Sequence, residues 1–444
     1  MEKQNEKSLV YAWFVVIVLM LANISSFIDR QILALLVGPI KRDLHLSDTE
    51  MSLLMGLSFA IFYTLFGIFI GHFADKYSRR NIIIGGVTIW SLMTALCGGV
   101  KSYGQFFLVR MGVGVGEATL GPSAYSMITD YFPKSKLSRA LSTYSMGVFI
   151  GSGLAILIGA SIIGNLPKTG MVNVPIFGNI FPWQLMFIYI GLPGLAIALL
   201  LLLVVKEPMR VDILNAKGVA IDKPTLGQAL DIIWEKRAVF LALSIGTAFT
   251  AFVSYGSSAW IPTYFNRTFG WQMKEVGLKF GLIVTIFSAL GVLAGGWLAD
   301  RYAKRGIENG NLRVGLISGV GILLSACNFL LSDPNLILLS LAIPSFFVAF
   351  PFGAATAAIQ EIMPNRVRAL ASSIYLFFVN MIGLGGGPFV VAFFTDSVFH
   401  DEKMIKYSLI NLYLIGGVAV IAFFLLTLKN YKTALEFKNG VRIN

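Results

Sequence analysis

The chain is a succession of long apolar runs separated by short charged stretches. Crossing about 30 Å of hydrocarbon takes roughly 20 helical residues, and runs of that length occur twelve times. The first six cover Tyr11 to Ile40, Ser52 to Phe73, Asn81 to Val100, Phe106 to Asp130, Leu137 to Gly164 and Trp183 to Val205. The second six cover Val239 to Tyr264, Val276 to Ala299, Leu312 to Leu331, Leu336 to Ile362, Leu370 to Thr395 and Ile405 to Leu428. Apolarity is continuous within each run and does not alternate in ten-residue segments, so the pattern predicts helices and not a transmembrane β-barrel. The first run follows a short polar tail, lacks a small-residue cleavage site and continues into Asp29 and Arg30. It is expected to be a retained helix, not a removed signal peptide.

The two halves repeat. Gly71-His72-Phe73-Ala74-Asp75-Lys76-Tyr77-Ser78-Arg79-Arg80 is matched by Gly296-Trp297-Leu298-Ala299-Asp300-Arg301-Tyr302-Ala303-Lys304-Arg305. Downstream, Asp130, Pro133 and Arg139 correspond to Glu361, Pro364 and Arg368. The expected fold class is all-α: a polytopic membrane protein of twelve transmembrane helices in two pseudo-symmetric six-helix bundles. The first bundle spans 1–205, a linker loop spans 206–236, and the second bundle with a short tail spans 237–444.

Composition and charge agree. Hydrophobic residues make up 56% and charged residues 13%, against about 45–50% and 25% in soluble domains. So little polar surface cannot cover a core of this size in water. Of the 35 lysines and arginines, 24 fall on the side of the termini and linker, nine on the other, and only Arg30 and Arg110 lie mid-membrane. By the positive-inside rule, both termini and the linker are expected in the cytoplasm, the chain residing in the inner cell membrane. This bias accounts for the net charge of +12 through anionic headgroups, without nucleic-acid binding. Cys97 and Cys327 both sit in apolar runs and are expected to be buried, inert thiols. His45, His72 and His400 are too widely spaced for a local metal motif, and no metal or cofactor is expected. Without a nucleophile, metal cluster or Walker lysine, an enzyme or an ATP-driven pump is not expected.

Four charges remain in the apolar body of the first half: Asp29, Arg30, Arg110 and Glu117. A mid-membrane charge costs at least roughly 2.5–3.5 kcal/mol and pairs or faces water. Arg110 and Glu117 are seven residues apart, about 10.5 Å along one helix face, so each needs a partner from another helix. Asp29 and Arg30 are the only charged candidates. They point about 100° apart, and the preferred arrangement sets Arg30 toward Glu117, with Asp29 toward a neighbouring helix or Arg110. The alternative reading is an ion-pair cluster that only holds the bundle together. The second half has no mid-span charge. Its polar and aromatic positions, Tyr255 and Trp260 foremost, are read as a substrate wall, alternatively as core. A charged half opposite an uncharged aromatic one suits an amphipathic substrate with an anionic head, which arginine's fixed fork would bind.

The repeated Gly71, Ala74, Asp75, Arg79, Arg80 pattern resembles the loop signature of the major facilitator superfamily. The resemblance implies a carrier that rocks around a central site, and a latch that joins the halves when the cavity opens outward. By position the latch residues are Asp75, Arg79, Arg80, Asp130 and Arg139, with Asp300, Arg305, Glu361 and Arg368 in the second half; the alternative is a topology signal only. Phe27-Ile28-Asp29-Arg30-Gln31 and Arg110-Met111-Gly112-Val113-Gly114-Val115-Gly116-Glu117-Ala118 resemble spinster-type members, known for lysophospholipid and sphingosine-phosphate transport. That resemblance implies proton coupling and substrate binding at Asp29, Arg30 and Glu117.

The function expected is secondary active transport of an amphipathic organic anion, lysophospholipid-like by resemblance, coupled to protons and carried out by a monomer among membrane lipids. The alternatives are a proton-coupled carrier of small organic or sugar acids, and a non-transporting receptor on a carrier fold. The fifth span lacks the Gly-Pro pair typical of the superfamily's drug antiporters.

Overall fold

The computed structural model describes residues 2–132, 134–165, 167, 170–175, 177–209, 226–307, 309–363 and 367–438; within its helices the side chains of Asp75, Arg139 and Arg368 lie outside the described residues. Among the described residues, eleven helical runs are long and apolar enough to cross a bilayer. The chain divides into two compact units, Met1–Asp212 with Trp271–Gly281, and Ile213–Gly270 with Leu282–Asn444.

The first unit holds α1 (Glu2–Gln31), α2 (Ser58–Lys76), α3 (Arg79–Leu96), α4 (Tyr103–Glu117), α5 (Leu120–Tyr131), α6 (Lys134–Ile163) and α7 (Pro182–Val204). α1 packs along α6, α3 along α7, and α4 lies against α2 and α3. Two departures from the expected spans matter for function. The first span stops being α-helical at Gln31, just past Arg30, and continues as a 3-10 turn over Ile32–Leu35. The fourth is two helices, interrupted at Ala118 and Thr119 directly after Glu117. There the Thr119 amide donates to the Gly116 carbonyl at 3.2 Å, and the Thr119 hydroxyl donates to the same oxygen at 2.8 Å. This tightens the turn from i→i−4 toward i→i−3. The break fits because α3 and α4 almost touch. A Cβ on Gly116 would lie 2.7 Å from the Trp90 nitrogen, and one on Gly86 would lie 1.7 Å from the Thr119 hydroxyl.

A short antiparallel hairpin in the loop before α7 pairs β1 (Val172–Val174) with β2 (Gly178–Ile180) in the register Val172↔Ile180, Asn173↔Asn179 and Val174↔Gly178. Val172, Val174 and Phe177 close over Ile180, Leu185 and Ile188. No apolar run marks this element in the sequence.

In the second unit the linker ends in α8 (Leu226–Glu235) and leads into α9 (Arg237–Phe269). The next helix, α10 (Met273–Lys304), has its first turns in the first unit. A Cβ on Gly277 would lie 2.6 Å from the Ala160 methyl, so these glycines let α10 press onto α6. α11 (Gly310–Ser325) follows, then an interrupted tenth span ending in α12 (Phe352–Ile362), α13 (Arg368–Phe378) and α14 (Ile405–Lys438). The glycine cluster after α13 adopts a π-helical stretch, Val379–Gly386. Just beyond it, a Cβ on Gly387 would stand 2.3 Å from the Phe252 carbonyl of α9. Of the two cysteines only Cys97 is buried; Cys327 is exposed, because the end of its span turns it outward.

Candidate binding and coupling site

The ends of α1 and α4 bring together the four charges singled out from sequence. Glu117, 1% exposed, accepts at Oε2 from Arg30 Nε at 2.6 Å and from the Ser26 hydroxyl at 2.7 Å. Its second oxygen, Oε1, is buried without a hydrogen-bond partner. Ser26 and Arg30 are four residues apart, on one face of α1, which is how a single helix supplies both donors.

The Arg30 guanidinium carbon lies 4.8 Å from the Phe27 ring centre and 4.6 Å from each of Phe59 and Tyr63. Phe59 and Tyr63, four apart on α2, stack at 5.2 Å. Three π-faces thus surround one cation, a geometry worth about 2 kcal/mol or more when desolvated. Sequence reading missed Ser26, Phe59 and Tyr63 as site residues. For Ser26 the available signal was its four-residue spacing from Arg30 on one helix; Phe59 and Tyr63 lie on another helix and had no such signal.

Arg110 is fully buried. Its Nη1 donates to the backbone carbonyl of Asp29 at 3.3 Å, while Nε and Nη2 have no hydrogen-bond partner. The expected carboxylate partner is therefore replaced by a main-chain oxygen exposed where α1 ends. Asp29 shares the neighbourhood of Glu117, Arg110 and Arg30, with Oδ1 buried and unpartnered. Arg110 lies 5.8 Å from the Phe59 ring, the same ring that meets Arg30, but Arg30 is the one of the two that has an ion pair with Glu117 and three rings around it.

In the second unit Tyr255 is half-buried. Trp260 is wholly buried, and its indole N–H donates to the Pro388 carbonyl at 2.9 Å. Reading Trp260 as substrate wall is therefore corrected: its hydrogen-bonding group is spent on holding α9 to the helix after the π-helical stretch.

The expected latch residues fall into two different networks. Arg79 is buried, donating Nη1 to Asp130 at 2.5 Å and to Ser126 at 2.9 Å, and Nε to Glu207 at 2.8 Å. Glu207 also accepts from the Ser78 hydroxyl at 3.0 Å and from the Arg80 backbone N–H at 2.8 Å. The Arg80 side chain bonds the Leu202 carbonyl. Tyr11 donates to the Val204 carbonyl and accepts from the Lys206 N–H, each at 2.8 Å, so the start of the linker is clamped to the first unit. In the second unit the described contacts differ. Glu361 is held instead by Asn311 Nδ2 at 3.2 Å and the Tyr431 hydroxyl at 2.5 Å, and Asp300 and Arg305 are exposed.

Glu207 was not singled out from sequence, where it is one acid among the linker's mixed charges. Burial opposes its ionisation, but the Arg80 N–H, the Arg79 guanidinium and the Ser78 hydroxyl outweigh it and hold the carboxyl below the usual range. A depressed folded-state value means the clamp contributes stability at neutral pH and loses it as pH falls through that value. Glu207→Gln should lower thermal stability at pH 7 by on the order of 1 kcal/mol, given partial solvent exposure. The difference from the parent should shrink on acidification; a difference independent of pH would remove the charge from the explanation.

The model of the Major Facilitator Superfamily matches residues 19–388. An MFS-type efflux pump of Mycolicibacterium smegmatis is 31% identical over 88% of this chain and 86% of its own length. Protein spinster homolog 1 of Xenopus tropicalis is 27% identical over 96% of this chain and 83% of its own. Among solved structures, a bacterial homolog of the human lysosomal transporter Spinster, inward-facing and unoccupied, superposes with a TM-score of 0.73 at 28% identity, covering 98% of this chain and 99% of that one. These relatives are transporters, not enzymes. The shared helical architecture and full-length matches agree: the chain belongs to the Major Facilitator Superfamily, as a spinster-like transporter.

Proposed function

We propose that this transporter moves an amphipathic organic anion, lysophospholipid-like in chemistry, by alternating access coupled to protons. The observation that carries the reading is Arg30, shared between the carboxylate of Glu117 and three aromatic faces. An anionic headgroup arriving at the guanidinium displaces Glu117, and the released carboxylate takes up a proton; Oε1, which has no partner, offers it a place. Asp29 is the second proton site. Arg79, Arg80 and Asp130 with Glu207, and Asp75, Arg139, Asp300, Arg305, Glu361 and Arg368, form the latch between the halves in the outward-open state. The excess of lysine and arginine on the side of the linker supports termini in the cytoplasm and residence in the inner membrane.

A thermal-shift screen of the purified protein tests the substrate class. A ligand at a hundred times its Kd adds about 2.7 kcal/mol of stability. Lysophospholipids should stabilise in proportion to concentration, whereas neutral monoacylglycerols of equal chain length should not. Stabilisation by sugar acids alone would replace the lipid reading with the small-acid carrier.

A further inference from the structure

The segment leading into the second unit carries a surface that the transport site does not use. In α8, apolar side chains recur at Ala229, Leu230, Ile233 and Trp234, one stripe at helical spacing. The unit itself covers only part of it. Ala229 and Ile233 are buried, but Leu230 is 44% and Trp234 63% exposed, while Asp231 and Glu235 face solvent elsewhere on the helix.

What lies over the exposed part follows from where the chain goes next. α8 ends two residues before Arg237, the first residue of a helix long and apolar enough to cross the bilayer. Arg237 Nη1 donates to the Trp234 carbonyl at 3.1 Å, and its guanidinium lies 5.2 Å from the Trp234 ring. The same pairing recurs near the end of α10, where Trp297 is 60% exposed with Arg301 5.2 Å from its ring. Tryptophan gathers at the level of the headgroups, apolar body inward and N–H toward water, and arginine keeps its head among phosphates while its stem lies along apolar surface. An exposed leucine and indole at the point of entry into hydrocarbon have the bilayer surface as their neighbour.

We propose that α8 lies in the headgroup layer of the bilayer, with Leu230 and Trp234 inserted to the headgroup–acyl boundary and Arg237 on phospholipid phosphate. The docked helix is tied to the carrier's working parts. Buried Lys236 donates Nζ to the Ile362 carbonyl at 2.8 Å, at the end of α12, one residue from Glu361. The membrane surface thereby fixes the end of a helix that bears a latch residue.

The test uses the full chain in phosphatidylcholine–phosphatidylglycerol liposomes whose acyl chains carry bromine at graded depths. Tryptophan emission of the parent is compared with that of Trp234→Phe, so that the difference reports Trp234 alone. The difference signal should be quenched most by the shallowest bromine and shielded from aqueous iodide. Leu230→Glu, which leaves the fluorophore in place, should weaken the bromine quenching. Quenching by iodide but not bromine would place the helix in water and overturn the proposal. Protection from both quenchers, or full bromine quenching retained in Leu230→Glu, would overturn it equally, the former pointing to a second copy of the chain as the cover.

Discussion

Glu117→Gln is expected to abolish substrate accumulation driven by a pH gradient in proteoliposomes while leaving counterflow of labelled for unlabelled substrate intact. The amide keeps one oxygen to accept from Arg30 and Ser26, and it places its N–H2 where Oε1 now has no partner. The site therefore retains its shape and loses the carboxylate that would take up a proton. Coupling between two ligands of one protein is reciprocal and typically about 1–3 kcal/mol, which is about 5- to 150-fold in affinity. A pH dependence of that size in substrate affinity should vanish with the substitution. Gradient-driven uptake that survives would move coupling to Asp29. An unmodified protein that binds ligands yet neither accumulates nor exchanges them would favour the receptor.

Arg30→Lys should weaken binding of the anionic ligand by roughly 10- to 150-fold, from the loss of one charge-assisted hydrogen bond of the fork, worth about 1.5–3 kcal/mol, with the fold kept. Lysine preserves the charge but has neither the plane that meets three rings nor the fork that meets an anion. Arg110→Lys should behave differently. Arg110 holds a backbone carbonyl in a fully buried position, so its loss should appear first as less folded protein, with the affinity of what remains little changed. Titration calorimetry on detergent-solubilised variants, with folded yield by size exclusion, separates the two. Equal loss of affinity in both variants, with folded yield retained, would make Arg110 a ligand contact as well.

The Arg30–Glu117 pair is legible in the sequence because hydrocarbon permits few unpaired charges and the first half contains only four candidates. The aromatic surround is not, since Phe59 and Tyr63 are two among 35 phenylalanines and 15 tyrosines, and nothing in their spacing separates a ring that faces a cation from one that faces lipid. Trp260 illustrates the converse: an amphipathic residue suited to a binding wall is instead a buried cross-brace, decided by the tertiary position of Pro388. Span positions follow from apolar length, but the breaks at Gln31 and Thr119 depend on local hydrogen bonds and on which helix offers a gap. The matching charge motifs of the two halves foretell matching loops, yet Arg79 is enclosed by Asp130 and Glu207 while its counterpart Lys304 is exposed.

The interruption after Glu117 bears on how the protein reaches the membrane. Neither α4, of 15 residues, nor α5, of 12, attains the roughly 20 residues a spanning helix needs, and α4 also carries two charges. Its acceptors and donors, the Asp29 carbonyl and Arg30, lie on α1, and the glycine-lined seat it occupies lies on α3, both synthesised earlier. The fourth span is therefore expected to settle against α1 to α3 as it emerges, its two charges meeting partners already in place. The second half, with no charge in mid-span, places no such demand on the order in which its helices are made.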